Sequence, residues 1–114
     1  MNEIRITIPK WNIEAETGYK PKTTFWDDFS IAERFGAIEI LDTFDRAFKE
    51  WKSNIEYLTE LSLVLNHKIW YWYERKNEYL AKAYNKLWQE IEDYAYGEGN
   101  LSEEEQSYYF RITD

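Results

Sequence analysis

The sequence predicts a mainly α protein, a compact antiparallel helical bundle with an irregular N-terminal arm. Three observations favour this class. Apolar residues recur at helical spacing from residue 24 onward, whereas both prolines lie before it. Helix-capping signals interrupt that spacing at short intervals, as expected for helices joined by short links. With 114 residues and 44% hydrophobic composition, the chain is long enough to form one domain, 1–114, with its own core.

The two ends of the chain leave one alternative open. Residues 1–23 show no helical period and are predicted to form the irregular arm. Within the arm, IRITI at 4–8 alternates apolar and polar residues in the manner of a short strand, and YYFRIT at 108–113 offers a partner for it. The sequence therefore permits one short terminal β-pair beside the bundle.

The first helix of the bundle is predicted to begin at Thr24. The Thr24 hydroxyl can accept a hydrogen bond from a free backbone N–H, and Asp27 and Asp28 complement the positive end of the helix dipole. Gly36 is predicted to end this helix with a left-handed cap. The second helix, 37–52, gathers seven apolar residues within about 100° of one another: Ala37, Ile40, Leu41, Phe44, Ala47, Phe48 and Trp51.

The third and fourth helices are predicted over 53–75 and 78–96. SNIE at 53–56 is a capping box, in which Ser53 and Glu56 satisfy each other's backbone N–H groups. The fourth helix gathers one apolar face and ends near Gly97; that face consists of Leu80, Ala83, Tyr84, Leu87, Ile91 and Tyr94. These elements place the helical core at 24–96.

The acidic C-terminal segment, 97–114, contains one further helix signal. SEEE at 102–105 repeats the capping signature and predicts a last short helical turn.

The aromatic run in HKIWYWYERK, 67–76, divides between two faces of the third helix. On a helical wheel, Trp72 joins the main apolar face and Tyr73 lies at its edge, whereas Trp70 lies on the opposite side near Leu63. Two interpretations remain open. Either the N-terminal arm or residues 25–35 cover that second side, or Leu63, Trp70 and Tyr71 form an exposed partner-binding patch or a seam between identical subunits.

Acidic residues are concentrated near the C-terminus. The formal net charge is −8, which argues against direct binding of a nucleic-acid backbone. Such a cluster can steer the chain toward a basic surface of a protein partner, either an unknown host protein or a second copy. It can equally be a solubilising surface with helix-capping acids. The residues of this predicted patch are Glu90, Glu92, Asp93, Glu103, Glu104 and Glu105.

The sequence contains no recognisable catalytic motif. There is no cysteine, and the single histidine, His67, has no serine-nucleophile motif or metal-ligand spacing around it. The glycines form no phosphate-binding loop. Carboxylate pairs such as Glu39 with Asp42 have the spacing of a solvated helix face. We therefore expect no enzyme, no catalytic residue, no cofactor and no metal.

The N-terminal residues lack the order of a secretory signal, a basic region followed by an apolar one. No stretch of about 18 uninterrupted apolar residues occurs either. We therefore expect a cytoplasmic protein with no membrane contact.

Six segments give the chain a resemblance to a family. They are TTFWDDFSIAERFG, DTFDRAFKEWKSN, YLTEL, LNHKIW, YNKLW and YYFRITD. Together they resemble an uncharacterised family of short, acidic, aromatic-rich proteins encoded by phages and integrative elements of Firmicutes. The resemblance covers nearly the whole chain but brings no known activity or site residues.

The resemblance implies a function in a mobile genetic element. Small acidic accessory proteins of such elements often resemble anti-CRISPR or anti-restriction inhibitors. We therefore expect a non-enzymatic, anti-defence binding protein that occupies a basic surface of its target. The alternative is a structural or accessory protein of a phage or integrative element that forms homo-oligomers.

Overall fold

The computed structural model describes residues 13–113, and these residues form six α-helices and no strand. The helices are α1 (Ile13–Thr17), α2 (Phe25–Ala32), α3 (Ala37–Trp51), α4 (Ile55–Glu74), α5 (Glu78–Tyr96) and α6 (Glu103–Thr113). The predicted mainly α class is confirmed.

Helix α4 is the centre of the bundle. It packs against α2, α3, α5 and α6. All eight residues from 58 to 65 are buried, although an amphipathic helix at a surface would bury only one face. Thr59 and Glu60, on the reverse side of the predicted apolar face, are therefore buried as well, and so is Ser62 at the edge of that face. The helix is surrounded by its neighbours.

Aromatic rings fill much of the core around α4. Phe29, Phe44, Tyr84 and Tyr109 are at most 1% exposed. Burial of one such side chain stabilises the fold by about 1.5–3 kcal/mol. The Tyr109 hydroxyl donates to Ser62 Oγ at 2.9 Å, as a buried tyrosine requires.

The predicted boundaries of α3 and α5 are confirmed to within one residue. Helix α5 begins after a turn in which Lys76 adopts the left-handed conformation (φ 60°). The Asn77 side chain then caps the helix by accepting from Leu80 N at 3.1 Å. Leu41, predicted to face the core, is instead 44% exposed.

The N-terminal caps of α2 and α4 differ from the prediction. Asn54, not Ser53, caps α4, since its side chain accepts from Tyr57 N at 3.2 Å. Asn and Ser are equally good N-caps, so their order alone could not decide the first residue of the helix. Helix α2 follows Thr24 as predicted, but the Thr24 hydroxyl donates to Asp28 and makes no cap.

Gly36 also has a different role from the predicted one. Helix α2 ends at Ala32, and a turn over 33–35 separates it from Gly36. Gly36 has φ 116° and ψ −176° and immediately precedes α3. A side chain would disfavour this backbone conformation, so glycine is required to direct the chain into α3.

Both chain ends contain more helix than predicted. Helix α1 lies inside the segment expected to be irregular, and α6 has 11 residues where a short turn was expected. The segment YYFRIT belongs to α6, so it cannot be the second strand of a terminal β-pair. The capping box starts this helix, and Tyr109 anchors it in the core. IRITI, at 4–8, lies outside the described residues.

The cap of α4 provides a test of this helix boundary. Asn54→Ala removes the acceptor for Tyr57 N and should lower the free energy of unfolding by about 1 kcal/mol. Ser53→Ala, one residue earlier, should change it by less than about 0.5 kcal/mol. Urea denaturation measures both, and a larger effect of Ser53→Ala would place the cap at the predicted residue instead.

Candidate functional site

A charged pair is buried between α2 and α4. Lys68 Nζ lies 3.1 Å from Glu33 Oε1, and the two side chains are 0% and 2% exposed. Lys68 also donates to Ser30 Oγ at 2.7 Å. Its ammonium group lies 3.8 Å from the centre of the Trp26 ring, within the range of a cation–π interaction. Lys68 is therefore held by α2 and by the first residue after it through three kinds of contact.

The other member of the pair, Glu33, joins three helices through one oxygen atom. Its Oε1 accepts from Lys68 and from Trp72 Nε1 at 3.1 Å, both on α4. The same atom accepts from the Tyr84 hydroxyl of α5 at 2.5 Å. Within residues 13–113, the second oxygen, Oε2, is buried with no hydrogen-bond partner. We call Glu33, Lys68, Trp72 and Tyr84 the buried charge cluster.

Burial determines the electrostatics of this cluster. Removal from water lowers the pKa of Lys68, and the Glu33 carboxylate opposes that change. Burial also raises the pKa of Tyr84, and Glu33 raises it further because tyrosinate would carry the same charge. Glu33, Lys68 and Tyr84 are at most 7% exposed, whereas Trp72 is partly exposed.

A second buried carboxylate attaches the segment before α2 to the central helix. Glu60 is 1% exposed and accepts from Lys22 N at 2.6 Å and from Thr23 N at 3.2 Å. The Thr23 hydroxyl donates to it as well. Nearby, the Tyr19 hydroxyl donates to Glu56 O at 2.8 Å. Burial raises the pKa of Tyr19, and the Glu60 charge adds to this effect.

Neither buried carboxylate nor Lys68 was predicted from the sequence to lie in a site. A signal existed for Lys68, because it follows Leu65 by three residues and precedes Trp72 by four, inside the main apolar face. Glu33 similarly follows Phe29 by four residues. Glu60 had no such signal, since it lies on the side of α4 that its sequence marks as polar.

The structure separates the three residues of the predicted aromatic patch. Leu63 is buried at 7% exposure, and Tyr71 is half-buried against Trp26 and Arg75. Trp70 is 59% exposed, so within residues 13–113 the interpretation that this side is covered fits Leu63 but not Trp70. Its ring lies 6.0 Å from that of Tyr73, which is 59% exposed too.

The predicted acidic patch lies where α5 meets α6. Gln106 Nε2 donates to Ala95 O at 3.1 Å, so the first turn of α6 lies against the last turn of α5. Four residues of the acidic patch are exposed, namely Glu90, Asp93, Glu103 and Glu104. Glu105 accepts from Ser102 N at 2.9 Å and thereby caps α6. Glu92 is half-buried and contributes to raising the pKa of Tyr109, which burial raises most.

An open groove of about 450 Å³ lies between α2 and α3. It is lined by Phe25, Asp28, Ile31, Ala32, Phe35, Glu39, Thr43, Arg46, Ala47, Glu50 and Trp51. The sequence analysis did not identify it, because a groove between two helices depends on how they pack.

Within residues 13–113, no group of three or more His, Cys, Asp or Glu side chains could hold a metal ion. None of the helices there has the length and apolar character needed to cross a membrane. Comparison with protein-family models, curated proteins and solved structures found no match to the chain.

The buried charge cluster predicts strongly coupled mutations. Lys68→Met should lower the free energy of unfolding by about 3–5 kcal/mol, because it leaves the Glu33 carboxylate buried without a countercharge. Adding Glu33→Gln should recover much of that loss, since a neutral amide can still accept from Trp72 and Tyr84. Urea denaturation of the single and double variants measures the coupling. Additive losses would show that the two side chains do not interact.

The raised pKa of Tyr84 predicts a loss of stability at alkaline pH. Its pKa is raised above the ordinary value of about 10, so the folded state holds the proton while the unfolded state releases it. The contribution of Tyr84 to the free energy of unfolding is complete below pH 10 and declines as pH rises above that value. Tyr84→Phe should therefore reduce the fall in unfolding free energy by about 1.4 kcal/mol per pH unit. Urea denaturation between pH 9.5 and 11 measures this, and parallel curves would contradict it.

Proposed function

We propose that this chain is a small, non-enzymatic binding protein whose acidic end occupies a basic surface of a protein partner. The observation that carries the proposal is the charge of the α5–α6 corner. Residues 90–105 include the six residues of the acidic patch and Glu98, and contain no Lys or Arg. Such a field accelerates encounter with a positively charged surface and selects against acidic ones.

The position of the acidic residues within their helices supports a role in binding. Acidic residues at the start of α6 complement the helix dipole, so Glu103, Glu104 and Glu105 have a structural reason. The acidic residues near the end of α5 have no such structural reason, because carboxylates there face the negative end of the helix dipole. The last turn of α5 also has no basic residue. Exposed Asp93 thus costs stability locally, and a partner that requires it accounts for its presence.

A non-enzymatic role agrees with the location of the other charged residues. In the buried charge cluster, the titratable side chains of Glu33, Lys68 and Tyr84 are at most 7% exposed. The acidic patch is exposed but carries the spacing of solvated carboxylates. These groups can stabilise the fold and recognise a charged surface.

The resemblance to proteins of phages and integrative elements suggests what the partner is. A basic surface that normally contacts nucleic acid is the best match for a compact acidic protein. We therefore propose an anti-CRISPR or anti-restriction type of inhibitor that blocks such a surface on a host nuclease or regulator.

A second candidate function is self-association in a mobile-element assembly. The exposed ring pair of Trp70 and Tyr73 favours it, because tryptophan and tyrosine are common interface anchors. Trp70→Ala should then convert an oligomer to a monomer in analytical ultracentrifugation, while circular dichroism shows that the variant still folds. A wild-type protein that stays monomeric at high concentration would exclude this candidate.

Charge reversal tests the acidic end. Asp93→Lys with Glu104→Lys should weaken partner binding by about tenfold or more, and the wild-type complex should weaken as salt rises. Glu105 is left intact because it caps α6. Affinity capture from the native host, read by mass spectrometry across salt concentrations, measures both effects.

The matched control is Asp42→Lys with Asp45→Lys, two exposed acids on α3 that give the same change in net charge. It should retain the partners that the first variant loses. Equal loss in both variants would mean that net charge alone, and not the α5–α6 corner, drives the association.

A further inference from the structure

The groove between α2 and α3 has two regular walls. Its α2 wall contains residues 25, 28, 31 and 32 of α2 and residue 35 of the turn after it, and its α3 wall contains residues 39, 43, 46, 47, 50 and 51. On α3, steps of three and four residues place 39, 43, 46 and 50 on one helix face. From Glu39 to Glu50, the α3 wall is about 16 Å long, which corresponds to three helical turns.

The α2 wall exposes large apolar side chains. Ile31 is 57% exposed and Phe35 is 75% exposed, beside buried Phe25 and Ala32. Phe35 belongs to a structured turn, since its backbone N–H donates to Ala32 O at 2.9 Å. Large apolar groups at an open groove indicate a surface that another molecule covers.

The α3 wall is charged and predominantly acidic. Glu39 and Glu50 lie on it, Asp28 faces it from α2, and Arg46 is the one basic residue that lines the groove. Among residues 13–113, neither Glu39 nor Glu50 has a hydrogen-bond or ion-pair partner. A ligand that satisfies both walls must therefore present an apolar stripe on one side and positive charge on the other.

We propose that this groove binds a basic amphipathic helix of about three turns from a partner protein. The apolar residues of that helix pack on Ile31 and Phe35, and its Lys or Arg residues pair with Glu39 and Glu50. A second copy of the chain fits less well, because Glu39 and Glu50 would face the same acids across the interface. This surface lies on α2 and α3 and is independent of the acidic end proposed above.

Peptide binding tests the groove directly. The probe is a fluorescein-labelled 14-residue helical peptide with leucines along one face and lysines flanking them. Fluorescence anisotropy should show that it binds at least about tenfold more tightly than a scrambled peptide of the same composition. An analogue with glutamate in place of lysine should not bind. Equal binding of the ordered and scrambled peptides would overturn the proposal.

Variants locate the binding site. Phe35→Ser, and separately Glu39→Gln with Glu50→Gln, alter exposed side chains and should each weaken peptide binding by about tenfold. Asp42→Asn with Asp45→Asn gives the same change in net charge at exposed positions of α3 that do not line the groove, and it should leave binding unchanged. Circular dichroism confirms that each variant is folded.

Two results from these variants would overturn the proposal that the groove binds a basic helix. Equal weakening by the control variant would mean that the peptide responds only to net charge. A wild-type dimer in sedimentation equilibrium that Phe35→Ser dissociates would assign the groove to a second copy. Neither result depends on whether the acidic end binds a partner, because that proposal is tested by Asp93 and Glu104.

Discussion

The hydrogen bonds to one oxygen of Glu33 connect the end of α2 to two other helices of the bundle. Glu33 directly follows α2. Its Oε1 accepts from Lys68 and Trp72 of α4 and from Tyr84 of α5. Burying two charges is costly, and it is tolerated only where geometry and hydrogen bonds compensate for lost hydration. We infer that the cluster fixes the position of α2 on the bundle. The α2–α3 groove depends on this position, since α2 forms one of its walls.

Helix positions could be predicted from local patterns, whereas the charge cluster could not. The apolar period and the flanking caps determine α3 and α5, so both were predicted to within one residue. The bond from Lys68 to Ser30 spans 38 residues, and the bonds from Trp72 and Tyr84 to Glu33 span 39 and 51. A sequence shows that Lys68 lies in an apolar face, but only the packing of α2 on α4 supplies its partner.

The candidate binding surfaces were likewise predictable from the sequence only in part. Clustering of acids near the C-terminus was visible in the sequence, but the half-burial of Glu92 and the capping bond of Glu105 required the structure. The wheel correctly separated Trp70 from the core face. It could not show that α4 is enclosed on the side of Leu63 yet open at Trp70. That difference depends on where neighbouring helices end.

The central claim is that a charged Lys68 is enclosed by Trp26 and Glu33. Proton–nitrogen NMR of lysine ammonium groups near neutral pH tests it most directly. The account predicts one ammonium signal that exchanges slowly with water, shows nuclear Overhauser effects to the Trp26 ring and disappears in Lys68→Met. If every lysine ammonium exchanged at the rate of an exposed side chain, the buried ion pair and the fold built on it would be contradicted.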